Sequence, residues 1–138
     1  MIVIGFDNKE YKLKLSSKQS SSASNLHKQV RVLLKKLFPL DRAYEEVRLE
    51  GSQNGNKKSV LHADFIIPSK RMMIECQGVQ HSEHVKFYHP TKMDFYSAKA
   101  RDKRKLEWCE LNNITLVCLE WNEKEEEWIK KINNCYDD

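Results

Sequence analysis

The stretch HADFIIPSKRMMIECQGVQH, residues 62–81, decides how the rest of the chain is read. Two apolar runs flank the turn Pro68-Ser69-Lys70-Arg71, and each is interrupted by one carboxylate, Asp64 in the first and Glu75 in the second. Such runs about a short polar turn read as an antiparallel hairpin. If Ile67 pairs with Met72, counting outward sets Asp64 opposite Glu75. Period-two alternation then sends His62, Asp64, Glu75 and Gln77 to one face, and Ala63, Phe65, Ile74 and Cys76 to the other. Like charges directly opposed across a ladder repel. Either the face lies in open solvent and the acids are ordinary surface residues, or they are partly desolvated and share a proton or a cation. Hard oxygens at that separation suit Mg²⁺ or Mn²⁺. The Cys76 backbone carbonyl offers a further ligand, with Gln77 beside it, and Gly78 permits a close turn that delivers Gln80 and His81 to the acids.

Outward from this hairpin, residues 1–15 alternate about Asp7-Asn8-Lys9 and predict a small N-terminal β-hairpin. The run SSKQSSSAS, residues 16–24, reads as a polar linker. Ser24 or Asn25 caps a helix with Leu26, Val30, Leu33 and Leu37 on one stripe, ending before Pro39. Tyr44 to Leu49 reads as a strand, and Asn54-Gly55 marks a hairpin loop into the strand from Val60. Downstream, residues 81–91 read as a loop near a site, 95–112 as a helix, 114–121 as a strand and 123–134 as a helix with Asn122 and Glu125 as a capping box. In the helix at 95–112, Ala98, Asp102, Leu106 and Cys109 form one stripe with a carboxylate in an otherwise apolar face. Arg101, Lys105 and Trp108 form the adjoining cationic ridge. An Asp102 paired along its own helix or left in solvent is the plainer reading of that residue.

A length of 138 residues allows one domain and one site, and a balance of 40% hydrophobic to 32% charged residues argues against wholesale disorder. Asp7 and Glu10 follow the apolar start too closely for a signal peptide, and no window is long and apolar enough for a membrane span, so a cytoplasmic location is expected. Four cysteines without a CxxC pair are expected to stay reduced. The net charge of +4 is unevenly spread. Lys86, Lys92, Lys99, Arg101, Lys103, Arg104 and Lys105 face only Asp94 and Asp102 in their segment, while acids dominate from Glu107 onward. A basic patch beside buried acids suits a polyanion held near a metal, and a solvated helix face is the equally common plain reading.

Taken together, Asp64-Phe65-x-x-Pro68, Ile74-Glu75-x-x-Gly78-x-Gln80-His81 and Arg101-Asp102-x-x-Lys105-x-x-Trp108-Cys109-x-x-Asn112-x-Ile114 resemble the PD-(D/E)xK nuclease superfamily. The resemblance covers residues 24–121. It is nearest to the branch of very-short-patch-repair endonucleases and the phage and homing endonucleases with an E-D-x-H-D motif. It implies an α/β, restriction-endonuclease-like core, in which helices flank a mixed central β-sheet. The small hairpin and linker at 1–22 precede the nuclease domain at 23–138. It also implies a Mg²⁺-dependent (or Mn²⁺-dependent) endodeoxyribonuclease that nicks duplex DNA. Asp64 and Glu75 become the metal-binding pair, His81 the motif histidine and Asp102 the later aspartate. Gln77 stands where the superfamily more usually has lysine. His27 aligns with the glutamate often found in the first helix, with Glu45 and Glu46 as spatial substitutes.

Read this way, Asp64, Glu75, Gln77, His81 and Asp102 form the catalytic set, and Asp64, Glu75 and the Cys76 carbonyl hold the metal. Histidine titrates near neutral pH, so His81 suits proton transfer to or from the reacting oxygens. Lys57, Lys58, Lys99, Arg101, Lys103, Arg104 and Lys105 are the expected phosphate contacts on DNA. Tyr88, Phe87 and Trp108 either stack on bases or pack internally. The partner is DNA and no membrane, with a homodimer or a larger phage or host complex as further assemblies. Two rivals remain: a zinc site built from His81, His84 and His89 with Cys76, and a nuclease fold that binds DNA or a partner without cutting.

Overall fold

The structure is a computed structural model that describes residues 1–53, 59–78 and 92–136, with side chains from 99 to 135 in the last segment. Among these the elements run β1 (Ile2–Ile4), β2 (Glu10–Lys12), α1 (Asn25–Leu37), β3 (Tyr44–Leu49), β4 (Leu61–Ile67), β5 (Met72–Gln77), α2 (Lys92–Leu111), β6 (Thr115–Glu120) and α3 (Glu125–Tyr136). Strands β4 and β5 pair antiparallel with Ile67 on Met72, Ile66 on Met73 and Phe65 on Ile74, the register that the turn predicts. A 3₁₀ turn over Pro68–Lys70 closes the hairpin, with Arg71 in the left-handed region at φ 47°.

Strand β3 adds antiparallel to β4, and β6 adds parallel to β5 after the α2 crossover, giving a mixed sheet in the order β3-β4-β5-β6. Helices α1 and α3 cover one face, where Val30, Leu33 and Leu34 meet Phe65, Ile74, Trp128 and Ile132. The other face packs Trp108 and Cys109 of α2, with Val3 and Leu13 of the N-terminal hairpin, onto Leu49, Ala63, Ile66 and Met73. Each large apolar side chain buried this way stabilises the fold by roughly 1.5–3 kcal/mol. The protein is thus an α/β domain with a mixed four-stranded sheet between helices and a small two-stranded antiparallel sheet.

Four local expectations change. Ala63 and Phe65 belong to opposite faces rather than one, because the alternation of both β3 and β4 shifts phase at Glu46 and Asp64. Tyr44 and Val47 accordingly face the same cluster despite their odd spacing. Glu46 is left-handed at φ 49°, and the ladder records Glu45–Phe65 and Val47–Ala63 with no pair between them. Helix α2 starts at Lys92 and turns Lys105 and Trp108 of the adjoining ridge inward while Arg101 stays exposed: Trp108 is fully enclosed and Leu106 is 45% exposed. The Trp108 indole N–H donates to the Glu50 carbonyl at 3.1 Å, which removes it as a base-stacking surface. Asn122 does not cap α3. The helix begins at Glu125, and Glu127 reaches back to accept from the Lys124 amide at 3.3 Å.

The N-terminal hairpin docks through a close glycine contact and one asparagine. A Cβ on Gly51 would lie 2.4 Å from the Gly5 Cα, so neither backbone tolerates a side chain there. Asn112, past the end of α2, accepts from the Ile4 amide at 2.6 Å and donates to the carbonyls of Ile4 and Trp108, each at 3.0 Å. Replacing a buried amide that makes three hydrogen bonds leaves its backbone partners unsatisfied. Asn112→Ala is expected to lower unfolding stability by roughly 2–3 kcal/mol in urea titration and to speed amide exchange at Ile4. Unchanged exchange there would show that the hairpin docks without this clamp. Ser24 caps α1 by accepting from the His27 amide at 3.1 Å, and all four cysteines are free. Among the described residues, no helix is long and apolar enough to cross a membrane.

Candidate active site

The β4–β5 ladder stops at Phe65 and Ile74, and side chains take over where the next pair would form. The Asp64 amide donates to Glu75 Oε2 at 2.8 Å, and the Cys76 amide donates to Asp64 Oδ2 at 2.8 Å. Each acid therefore holds the backbone beside the other. The repulsion that their register implies is offset by two charge-assisted hydrogen bonds. A third group completes the arrangement: Lys105, projecting from α2, places its ammonium directly on Glu75 Oε1. The carbonyls of Arg71 and Gln77 accept from Thr115 and Trp121 of the β6 side. By the alternation of a parallel ladder, the Cys76 carbonyl then points the other way, toward Asp64 and the gap.

These groups line a cleft of about 260 Å³ together with Ser24, His27, Glu46, Asp102 and Lys105. A larger cleft of about 520 Å³ lies beside α1 and residues 17–19, where Arg31 and Glu45 already satisfy each other. Size does not locate the chemistry here; convergence of charge does. Among the described residues, Glu46, Asp64, Glu75 and Asp102 share the smaller cleft with one ammonium, that of Lys105, so its charge favours cations. Burial pushes the Glu75 carboxyl up, to about 7, with the Asp64 charge adding to the rise. Lys105 and the Asp64 amide pull it back down. Lys105 titrates higher than a free lysine: burial opposes its charge, but the Glu75 contact outweighs burial.

Behind this centre stands a hydrogen-bonded relay that starts at α1. His27 is 4% exposed, stacks on Phe65 with ring centroids 4.3 Å apart, and sets Nε2 2.7 Å from Glu45 Oε1. Arg31 grips both oxygens of Glu45, Nε to Oε2 and Nη2 to Oε1, each at 2.8 Å, and the Ser20 amide donates to Oε1 at 3.1 Å. Burial opposes ionisation of Glu45, but these donors outweigh it and hold the carboxyl at about 2.

Of the residues expected at the site, the structure brings together Asp64, Glu75, Gln77, Asp102 and the Cys76 backbone around one cleft. Lys105 joins them, inside rather than on the solvent face. His81, Gln80, Lys57 and Lys58 lie outside the described residues, as do Phe87, Tyr88 and the zinc candidates His84 and His89. Lys99, Arg101 and Lys103 are exposed on α2, while Arg104 turns back to donate to the Ser52 carbonyl at 2.6 Å. Sequence reasoning missed the Lys105 contact and the Arg31–Glu45–His27 relay. The first had a signal: Lys105, Trp108, Cys109 and Asn112 follow the i, i+3, i+4, i+7 spacing of a buried face.

No family model matches the chain, and no solved structure matches it. Over 73 residues, 53% of the chain, it is 30% identical to Uncharacterized protein 307L of Invertebrate iridescent virus 6. The match spans 36% of that viral protein, so the chain corresponds to about a third of its length.

Proposed function

We propose that the protein is a metal-dependent DNA endonuclease with a restriction-endonuclease-like core, related to the PD-(D/E)xK superfamily. The observation that carries this reading is the meeting of Asp64, Glu75 and the Lys105 ammonium where two strands part. An acidic pair that can hold a divalent ion, with an ammonium beside it, suits metal-assisted phosphodiester hydrolysis. Lys105 also answers the departure at Gln77, since a helix supplies the cation that the strand lacks.

The donor set fits a hard divalent ion. Asp64 Oδ1 makes no hydrogen bond among the described residues, each Glu75 oxygen keeps a second lone pair, and the Cys76 carbonyl faces the gap. Bound there, Mg²⁺ or Mn²⁺ supplies polarisation of the scissile phosphate and acidification of a water. The Asp64 and Cys76 amides hold the two carboxylates in position before substrate arrives, so little reorganisation accompanies binding. Lys105 sits at hydrogen-bond reach of Glu75, where its ammonium can offset charge that develops on the phosphate and orient the attacking water. Lys99, Arg101 and Lys103 are exposed on α2, suited to sequence-independent phosphate contacts with steep salt dependence.

One observation favours a second reading, a fold that binds DNA without cutting it: Lys105 already neutralises Glu75, leaving less demand for a metal. Supercoiled plasmid incubated with Mg²⁺ or Mn²⁺ separates the two. The parent is expected to yield nicked circles, and Asp64→Ala and Glu75→Ala none. Nicking that survives both substitutions refutes the site. Retained duplex binding by an uncutting parent favours the binding module.

A further inference from the structure

The cleft that holds Lys105 carries a group that the cleavage reading leaves unused. His27 is buried, yet only one of its ring nitrogens is hydrogen-bonded among the described residues. Glu45, kept ionised by Arg31, can only accept a hydrogen bond. The ring proton therefore resides on Nε2, and in the neutral ring Nδ1 presents a bare lone pair. That lone pair faces the cleft, 4.0 Å from Asp64 Oδ1, beyond hydrogen-bond distance. A histidine that donates its far N–H to a fixed carboxylate while aiming its near nitrogen into an acidic cleft has the arrangement of a metal ligand.

The third member is Glu46. Ligand atoms of His27, Glu46 and Asp64 all lie within 4.8 Å of one another. Two ligands on one ion, each at about 2.0–2.2 Å, stand roughly 3.0–3.8 Å apart as neighbours and at most roughly 4.4 Å apart when opposed, so the three side chains close by up to about 1 Å to seat a cation. Glu46 reaches this place through the left-handed residue that breaks the β3–β4 ladder, a conformation that the fold maintains against a regular strand.

We propose that His27 Nδ1, Asp64 Oδ1 and the Glu46 carboxylate form a second cation site, which takes a first-row divalent transition ion in preference to Mg²⁺. An imidazole nitrogen beside two carboxylates is a softer donor set than the all-oxygen set around Glu75, and Mg²⁺ is the ion that tolerates nitrogen least. The site shares Asp64 with the proposed cleavage centre but needs no cleavage to exist, so the two readings stand or fall separately.

Mn²⁺ is the probe, added to the full chain in excess Mg²⁺ and observed by electron spin echo, which detects a directly bound nitrogen as ¹⁴N modulation. The parent is expected to show that modulation, and Glu75→Gln to keep it. His27→Gln is expected to lose it. Glu46→Gly is expected to weaken Mn²⁺ binding at least about tenfold, since it loses one of three protein ligands. Glycine adopts φ 49° freely, so this second variant retains the fold if His27→Gln does not. Absence of ¹⁴N modulation in the parent, its persistence in folded His27→Gln, or unchanged Mn²⁺ affinity in Glu46→Gly overturns the proposal. Nitrogen-bound Mn²⁺ in a parent that leaves plasmid intact upholds this site and removes the nuclease reading. Nicking without nitrogen ligation does the reverse.

Discussion

Lys105→Met is expected to destabilise the protein by about 3–4 kcal/mol at pH 10, because it strands a carboxylate that the fold has enclosed. Glu75 is 6% exposed and Lys105 supplies its only ammonium among the described residues. A double substitution, Lys105→Met with Glu75→Gln, is expected to recover stability to within about 1 kcal/mol of the parent, since no unpaired charge remains. The pH dependence has a definite sign. Glu75 titrates above the ordinary glutamate value when folded, and loss of Lys105 raises it further. A folded pKa above the unfolded one gives stability that is whole below about 4.5 and is lost as pH rises through the folded value. The deficit of Lys105→Met is therefore small near pH 5, opens above about pH 7 where the parent's Glu75 ionises, and is large at pH 10. Urea titrations at the two pH values measure this directly; an equal deficit at both would mean that the lysine stem, and not its charge, is what matters. On the proposed function, the same substitution lowers nicking by roughly 10²-fold or more, the scale of removing one charge-stabilising donor from an active site.

The second large effect lies at Glu45 and runs in the opposite direction on the pH scale. Its carboxyl is held at about 2, against 4.5 for a free glutamate, and its side chain is 6% exposed, so solvent screens the interaction little. A depressed folded pKa gives stability that is present above the unfolded value and lost as pH falls through the folded one. Between pH 5 and pH 2 the protein is expected to lose about 3 kcal/mol from this residue alone. Glu45→Gln starts less stable at pH 7, with Arg31 deprived of its ion pair, but its unfolding midpoint changes less on acidification. Parallel slopes for parent and variant over that range would show that Glu45 is not ionised in its contact with Arg31. Carboxyl carbon NMR gives an independent reading of the same titration.

Both effects arise in contacts between residues far apart in the chain, and they mark where reading the sequence stops. The Pro68–Arg71 turn, with apolar runs on either side, was enough to set the Phe65–Ile74 register and bring Asp64 to Glu75, because a short hairpin allows few alternatives. The stripe through Val30 and Leu33, the Ser24 cap and the helix–strand–helix order after Gly78 were legible for the same local reason. The face of α2 was not. Asp102 and Leu106 follow an apolar period as well as Lys105 and Trp108 do, and only packing against Glu50 and Glu75 selects between them.

The α/β element order and the opposition of two acids are thus local properties, both consequences of periodicity and turn chemistry over a few neighbouring residues. Packing across the sheet alone brings Lys105 onto Glu75, sets Arg31 and Glu45 to orient His27, and turns Glu46 left-handed beside Asp64. Those outcomes depend on desolvation and on distances across the sheet. No local pattern encodes how much water a carboxylate will lose or which cation will come to replace it.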